Sequence, residues 1–226
     1  RQMCIRDRYG CALCIREEIY ASDHPMVLAT KNNIAQVYAS EERYGEAISL
    51  FETVIREYRE NSTEDSAFLA TVYDNLSTAY REMERYEDAI DICTEGLNIR
   101  KDIYGKRSLD YAISLNNLAL IYYEMGILND AADIFSEALA IKKETLPEIH
   151  GQISIGYFNL GLVYDKLHRD NEALENYRAS MEIDNELEAY EDVLLTAEYI
   201  AEIYERNDMP EDAEAYRTLC SKDDVH

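Results

Sequence analysis

The sequence predicts an all-α solenoid of antiparallel helix pairs, and three observations predict it. A tyrosine stands at positions 38, 80, 122, 164 and 204, at intervals of 42, 42, 42 and 40 residues. An alanine follows each tyrosine nine residues later, at 47, 89, 131, 173 and 213. Eight Gly and three Pro in 226 residues leave little room for irregular structure. Self-similarity at a fixed period marks an array in which each unit buries its apolar face only against its neighbours. Stacked units offer a long curved binding surface more readily than a catalytic pocket, which sets the functional expectation as well.

Residues 1–8, Arg-Gln-Met-Cys-Ile-Arg-Asp-Arg, fit the period poorly. They read as a non-repeat head of foreign origin, resembling translated adaptor sequence. Residues 9–22 read as the second helix of a truncated repeat, because Tyr9, Leu13 and Ile15 align with Phe135, Leu139 and Ile141 after three periods. Five repeats follow, at 25–62, 65–106, 108–146, 149–186 and 189–220, so that the array covers 9–220 and 221–226 is a polar tail.

In each repeat the first helix carries an apolar-small-x-x-Tyr phrase: Ile34-Ala35 before Tyr38, Leu76-Ser77 before Tyr80, Leu118-Ala119 before Tyr122, Leu160-Gly161 before Tyr164, Ile200-Ala201 before Tyr204. Spacings of three and four put these side chains on one helical stripe. The small residue marks where a second helix crosses closely. A turn follows, as in Glu41-Glu42-Arg43 or Glu124-Met125-Gly126, and the second helix then carries Ala47 and Phe51, Ala131 and Phe135, or Ala173 and Tyr177. The tyrosine-to-alanine spacing never changes, so the shorter last interval places the loss in the connection between the fourth and fifth repeats or in the helix ends beside it.

These phrases resemble the tetratricopeptide repeat, whose pattern includes Leu-Gly-x-x-Tyr and a later Ala-x-x-x-Phe. The family unit is 34 residues, and the eight more found here amount to about one additional turn in each helix. Long units of this kind are similar to those of kinesin light chains and of Pins-type spindle-orientation adaptors. The phrase Leu115-Asn116-Asn117-Leu118-Ala119 and the Asp23-His24-Pro25 helix start carry that likeness. The resemblance implies a right-handed superhelix of about eleven helices. A kinesin-light-chain role is not expected, since no coiled-coil heptads precede the repeats in this chain.

Net charge is −24, from 46 acidic and 22 basic residues. Such a field repels nucleic acid and anionic lipid surfaces, so neither is expected as a partner. It keeps an extended surface soluble and favours neutral to basic protein or peptide ligands. No run of about 18 apolar residues occurs, so no membrane span is expected. With Arg1 first and no signal-peptide pattern, the chain reads as a fragment of a soluble, cytoplasmic protein. Cys93 takes the place of Phe51, Phe135 and Tyr177, and Cys220 that of Ala138 and Ser180, so both read as core side chains. Cys11 and Cys14 form a lone C-x-x-C without further ligands, and neither metal nor cofactor is expected. The histidines at 24, 150, 168 and 226 fall at helix starts, turns or the tail, and no enzyme constellation is found.

The candidate binding residues are a row of asparagines. Asn33, Asn75, Asn117 and Asn159 each precede a tyrosine by five residues, one on each of four first helices. The stripe at 34, 35 and 38 faces the partner helix, so the residue just before it can turn toward the concave surface. An amide offers both donor and acceptor, and can pair with the main chain of an extended peptide of any sequence. Each Asn can equally bond to a neighbouring repeat or to water. Asn is a poor helix former, which favours a retained use. The resemblance adds that long tetratricopeptide repeats of the two groups hold extended peptides along such rows. Tyr199 takes the position in the fifth repeat, where the row is expected to end.

Residues one before the Asn are Asn32, Asp74, Asn116, Phe158 and Glu198; three after it come Gln36, Thr78, Leu120, Leu162 and Glu202. Repeats three and four thus look apolar, and the fifth gathers Glu198, Glu202 and Glu205. The expected ligand carries apolar side chains centrally and Lys or Arg toward the fifth repeat. The basic clamps of chaperone-binding domains are absent at Asn32 and Asp74, so an acidic C-terminal tail is not expected. Two further readings stand beside this one: a sensory or regulatory module controlling an attached effector, and self-association through the open terminal repeats.

Overall fold

The computed structural model describes residues 2–61 and 66–221. Arg1, the repeat ends at 62 and 65, the side chain of Cys220, and the tail from 222 with His226 lie outside the described residues. Two compact units divide the chain, residues 1–106 and 107–226. Unit 1 holds α1 (Gln2–Ile19), α2 (Pro25–Ser40), α3 (Tyr44–Asn61), α4 (Ala67–Glu82) and α5 (Tyr86–Tyr104). Unit 2 holds α6 (Leu109–Glu124), α7 (Leu128–Thr145), α8 (Gly151–Lys166), α9 (Asp170–Glu186), α10 (Tyr190–Arg206) and α11 (Pro210–Ser221). Within each unit every helix packs on the next, and among the described residues there is no strand. The backbone of α1 takes in residues 2–8.

Polar side chains cap the first helices of the first four repeats, whereas α10 starts at Ala189 without one. Ser66 accepts from the Leu69 amide and Ser108 from the Tyr111 amide, both at 3.2 Å. His24 and His150 do the same through Nδ1, toward Met26 at 3.2 Å and Gln152 at 3.1 Å. Each supplies an acceptor to an amide that the helix leaves unpaired, at about 1 kcal/mol per cap.

Helix pairs are joined by one recurring turn. A residue in the left-handed region, Glu42, Glu84, Gly126, His168 or Asp208, follows the first helix at φ between 55° and 78°. The next amide then returns to the periodic tyrosine's carbonyl: Arg43 to Tyr38, Arg85 to Tyr80, Ile127 to Tyr122 and Arg169 to Tyr164 at 2.9 Å, Met209 to Tyr204 at 3.0 Å. Such bonds satisfy carbonyls at the helix C-terminus. Where the returning residue is Arg, its guanidinium stacks on the tyrosine ring, 4.4 Å away in the first two repeats and 4.6 Å in the fourth. The α9–α10 connection has the same form, with Glu188 at φ 56° and the Ala189 amide on the Asp184 carbonyl at 2.8 Å. This three-residue link coincides with the 40-residue interval, whereas α7 and α8 are separated by 146–150.

The crossings are small side chains against large ones. Ala47, Ala89, Ala131 and Ala173 are fully buried, as are Phe51, Cys93 and Tyr177, and Phe135 is 2% exposed. Cys93 therefore fills an aromatic position, and burial pushes its thiol up to about 12 with Asp74 adding to the effect. Opposite it stands Ser77, whose hydroxyl reaches the thiol, so both members of the pair are small and polar here. In the fourth repeat the sizes diverge. A Cβ on Gly161 would lie 2.5 Å from the Tyr177 ring, so glycine is what admits the larger ring.

Candidate functional site

In unit 1 the predicted residues lie on α2 and α4. Asn75 donates through Nδ2 to Oδ1 of Asn32 at 3.1 Å, so the amide of one repeat is tied to the companion amide of the repeat before it. Asn32 is buried, while Asn33 and Asn75 are half-buried and Gln36 is exposed. Thr78 is exposed but its hydroxyl turns back to the Asp74 carbonyl at 3.0 Å. Asp74 is buried against Arg100 of α5 at 2.6 Å. Lys31, beside Asn32, pairs with Glu57 at 2.8 Å and lies 3.7 Å from Glu17, linking α1, α2 and α3. These charges are paired in place.

Unit 2 repeats the amide link. Asn159 on α8 donates to Asn116 on α6 at 3.1 Å, the same distance and the same pair of positions. Asn159 is 8% exposed; Asn116, Asn117 and Leu120 are half-buried. Leu120 packs on the apolar cluster around Phe135, whereas Phe158 and Leu162 pack on the one around Tyr177. Phe158, Tyr177 and Tyr199 form an aromatic group, with Phe158 edge-on to Tyr199 at 5.4 Å and Tyr199 stacked on Tyr177 at 5.5 Å. Glu198 and Glu202 are exposed on α10. Glu205 does not join them as a free acid, because Arg217 holds its carboxylate.

The structure thus brings together Asn32 with Asn75, Asn116 with Asn159, and Phe158 with Leu162 and Tyr199. An amide has two N–H groups and an oxygen with two lone pairs, so one inter-repeat bond uses only part of its capacity. That arrangement suits binding of neutral polar main chain. Cys11 and Cys14 are exposed on α1, and among the described residues no group of three or more His, Cys, Asp or Glu is placed to hold a metal ion. Among the described residues no helix is long and apolar enough to cross a membrane.

Sequence reasoning missed a second cluster in unit 2. Ser154, Ser180, Asp184 and Thr196 are buried side by side beneath Ile155 and Leu195. The available signal was the period itself: Asp184 falls in the column of Tyr58, Arg100 and Lys142, where an acid is out of character.

Three models of the tetratricopeptide repeat match the sequence in succession, at residues 27–62, 63–144 and 156–187. No curated relative matches it. Among solved structures, BtubC (BKLC) from P. vanneervenii superposes with a TM-score of 0.85 at 17% identity, over 100% of this chain and 93% of that one. The TPR-like repeats of a Podosopora anserina protein assigned to the kinesin light chains give 0.76 at 19% identity, over 90% and 99%. The Rap conjugation gene regulator of plasmid pLS20, solved in complex with the Phr* peptide, gives 0.69 at 18% identity, over 86% of this chain and 52% of that one. At these identities the likeness is one of fold.

Proposed function

The chain belongs to the tetratricopeptide repeat family, and we propose that it is a protein-interaction scaffold that holds an extended peptide along its first helices. The observation that carries this reading is the repeated amide link. Asn75 to Asn32 in unit 1 and Asn159 to Asn116 in unit 2 are the same bond between equivalent positions, and within each unit it fixes the amides in place. Fixed amides lose little freedom when a peptide main chain pairs with them. Flanking groups set preference: Gln36 in unit 1, and Leu120, Phe158 and Leu162 with Glu198 and Glu202 in unit 2. The ligand is apolar at its centre and neutral to basic overall, in keeping with a net charge of −24.

A peptide-array screen of the purified chain beside an Asn75→Ala/Asn159→Ala variant, which removes the donor of each link, tests the reading. Binding that weakens across unrelated sequences is expected; equal binding by both proteins removes the asparagines from recognition. A second reading is a regulatory module whose repeats control an attached effector. It is favoured by the fold shared with the Rap regulator, of whose length this chain spans about half. Linking an output domain and finding its activity unchanged by saturating peptide would count against it.

A further inference from the structure

Unit 2 contains a cavity of about 240 Å³ between α8, α9 and α10. Its mouth is apolar, formed by Ile155, Leu187 and Leu195, each between 43% and 48% exposed. Its base is polar and buried: Ser154, Ser180, Asp184 and Thr196 are all 5% exposed or less. Phe158, a member of the proposed groove, lines the same cavity, so the two are continuous.

Among the described residues no cation pairs with the Asp184 carboxylate at the base. The donors to the Asp184 carboxylate are serine hydroxyls, that of Ser180 at 3.4 Å and that of Ser154. Those hydroxyls are 2.9 Å from each other, and each also reaches the other's carbonyl, at 3.3 Å and 3.1 Å. Two protons are therefore divided among several acceptors, and the carboxylate is left under-supplied. Among the described residues the other acid nearby is Asp192 on α10, which repels it, and burial holds the Asp184 carboxyl above the usual carboxylate range. A buried carboxylate in that state is costly unless something pairs with it.

The repeats themselves indicate what pairs with it. One period earlier the column holds Lys142, and two periods earlier Arg100, whose guanidinium lies against Asp74. There the chain supplies its own cation to the crossing; at Asp184 it supplies an anion and an open cavity instead. Resting on the peptide-scaffold reading, we propose that this cavity receives a lysine or arginine side chain of the bound peptide, with Asp184 as its counter-ion. The aliphatic stem runs between Ile155, Leu187 and Leu195 while the head group reaches the carboxylate and the hydroxyls. Asp192 at the rim draws the cation in.

The test is an array in which Lys, citrulline or norleucine occupies each position of the bound peptides in turn, read against the chain and Asp184→Asn. A parallel titration with n-butylamine, followed through the chemical shifts of α8–α10, needs no peptide. The chain is expected to favour Lys over norleucine by about tenfold or more at one position. Asp184→Asn, which keeps the volume and should melt higher, is expected to lose that preference and the amine shifts while still binding peptide. An unchanged lysine preference in Asp184→Asn overturns the pocket and leaves the scaffold reading intact. Amine shifts that require Asp184, without any peptide binding, keep the pocket and remove the groove. Neither response removes both.

Discussion

Lys142 occupies in the third repeat the column that Arg100 holds in the second, but its surroundings differ. It is 1% exposed and, among the described residues, no carboxylate pairs with it. Burial alone lowers its ammonium from 10.5 to about 8. At about 1.4 kcal/mol per unit, keeping it charged withholds on the order of 3 kcal/mol of stability at pH 7. The sign follows from proton counts. Between about pH 8 and 10.5 the unfolded chain keeps a proton that the folded one has released, so stability rises with pH across that window. Lys142→Met retains the stem and removes the charge. It is expected to stabilise by up to about 3 kcal/mol at pH 7, roughly 6–12 °C in melting temperature for a chain of this size. Thermal melts by circular dichroism at pH 7 and pH 9.5 measure both effects, and the gap between the proteins should narrow at the higher pH. A variant that melts lower at pH 7, or a gap indifferent to pH, refutes the reasoning.

Arg100→Met should do the opposite, costing about 3–5 kcal/mol because it takes away the cation of buried Asp74; chemical denaturation of this variant and of Arg100→Met/Asp74→Asn, which should recover part of the loss, checks it. Gly161→Ala forces a methyl into the Tyr177 ring and should cost about 1–3 kcal/mol, with Tyr177→Leu in the same chain restoring stability. Glu84→Gly relieves a left-handed residue at φ 57° and should gain about 0.5–1 kcal/mol, whereas Glu95→Gly, on an exposed turn of α5, should lose about 1. Self-association through the terminal repeats predicts a mass that grows with concentration, by light scattering, and shrinks when exposed Ile15 and Ile19 of α1 become Lys.

The periodic tyrosines and alanines made the helix pairs legible because packing at a fixed crossing demands the same small and large side chains each time. The burial of Cys93 in an aromatic column was legible for that reason. The turns were less so. Only Gly126 advertises a left-handed backbone, while Glu42, Glu84, His168 and Asp208 adopt it under the pull of the returning amide. The asparagine row was visible as a column, but not the bond from Asn75 to Asn32, which depends on how far one repeat is rotated against the next. Glu205 looked like part of an acidic group until α11 brought Arg217 to it, a contact between helices that spacing along one helix cannot reveal. Asp184 escaped notice for a related reason. Its identity breaks the column, yet only the packing of α8, α9 and α10 shows that the carboxylate faces a cavity.

If paired amides on successive repeats hold a peptide by its main chain, then the ligand's own amides are what they read. Scanning a bound peptide with backbone N-methyl groups leaves every side chain in place while deleting one N–H at a time. Affinity should fall by about tenfold at the positions that meet the amides, and the same scan against Asn75→Ala/Asn159→Ala should lose the corresponding steps. A peptide that tolerates N-methylation at every position contradicts the account.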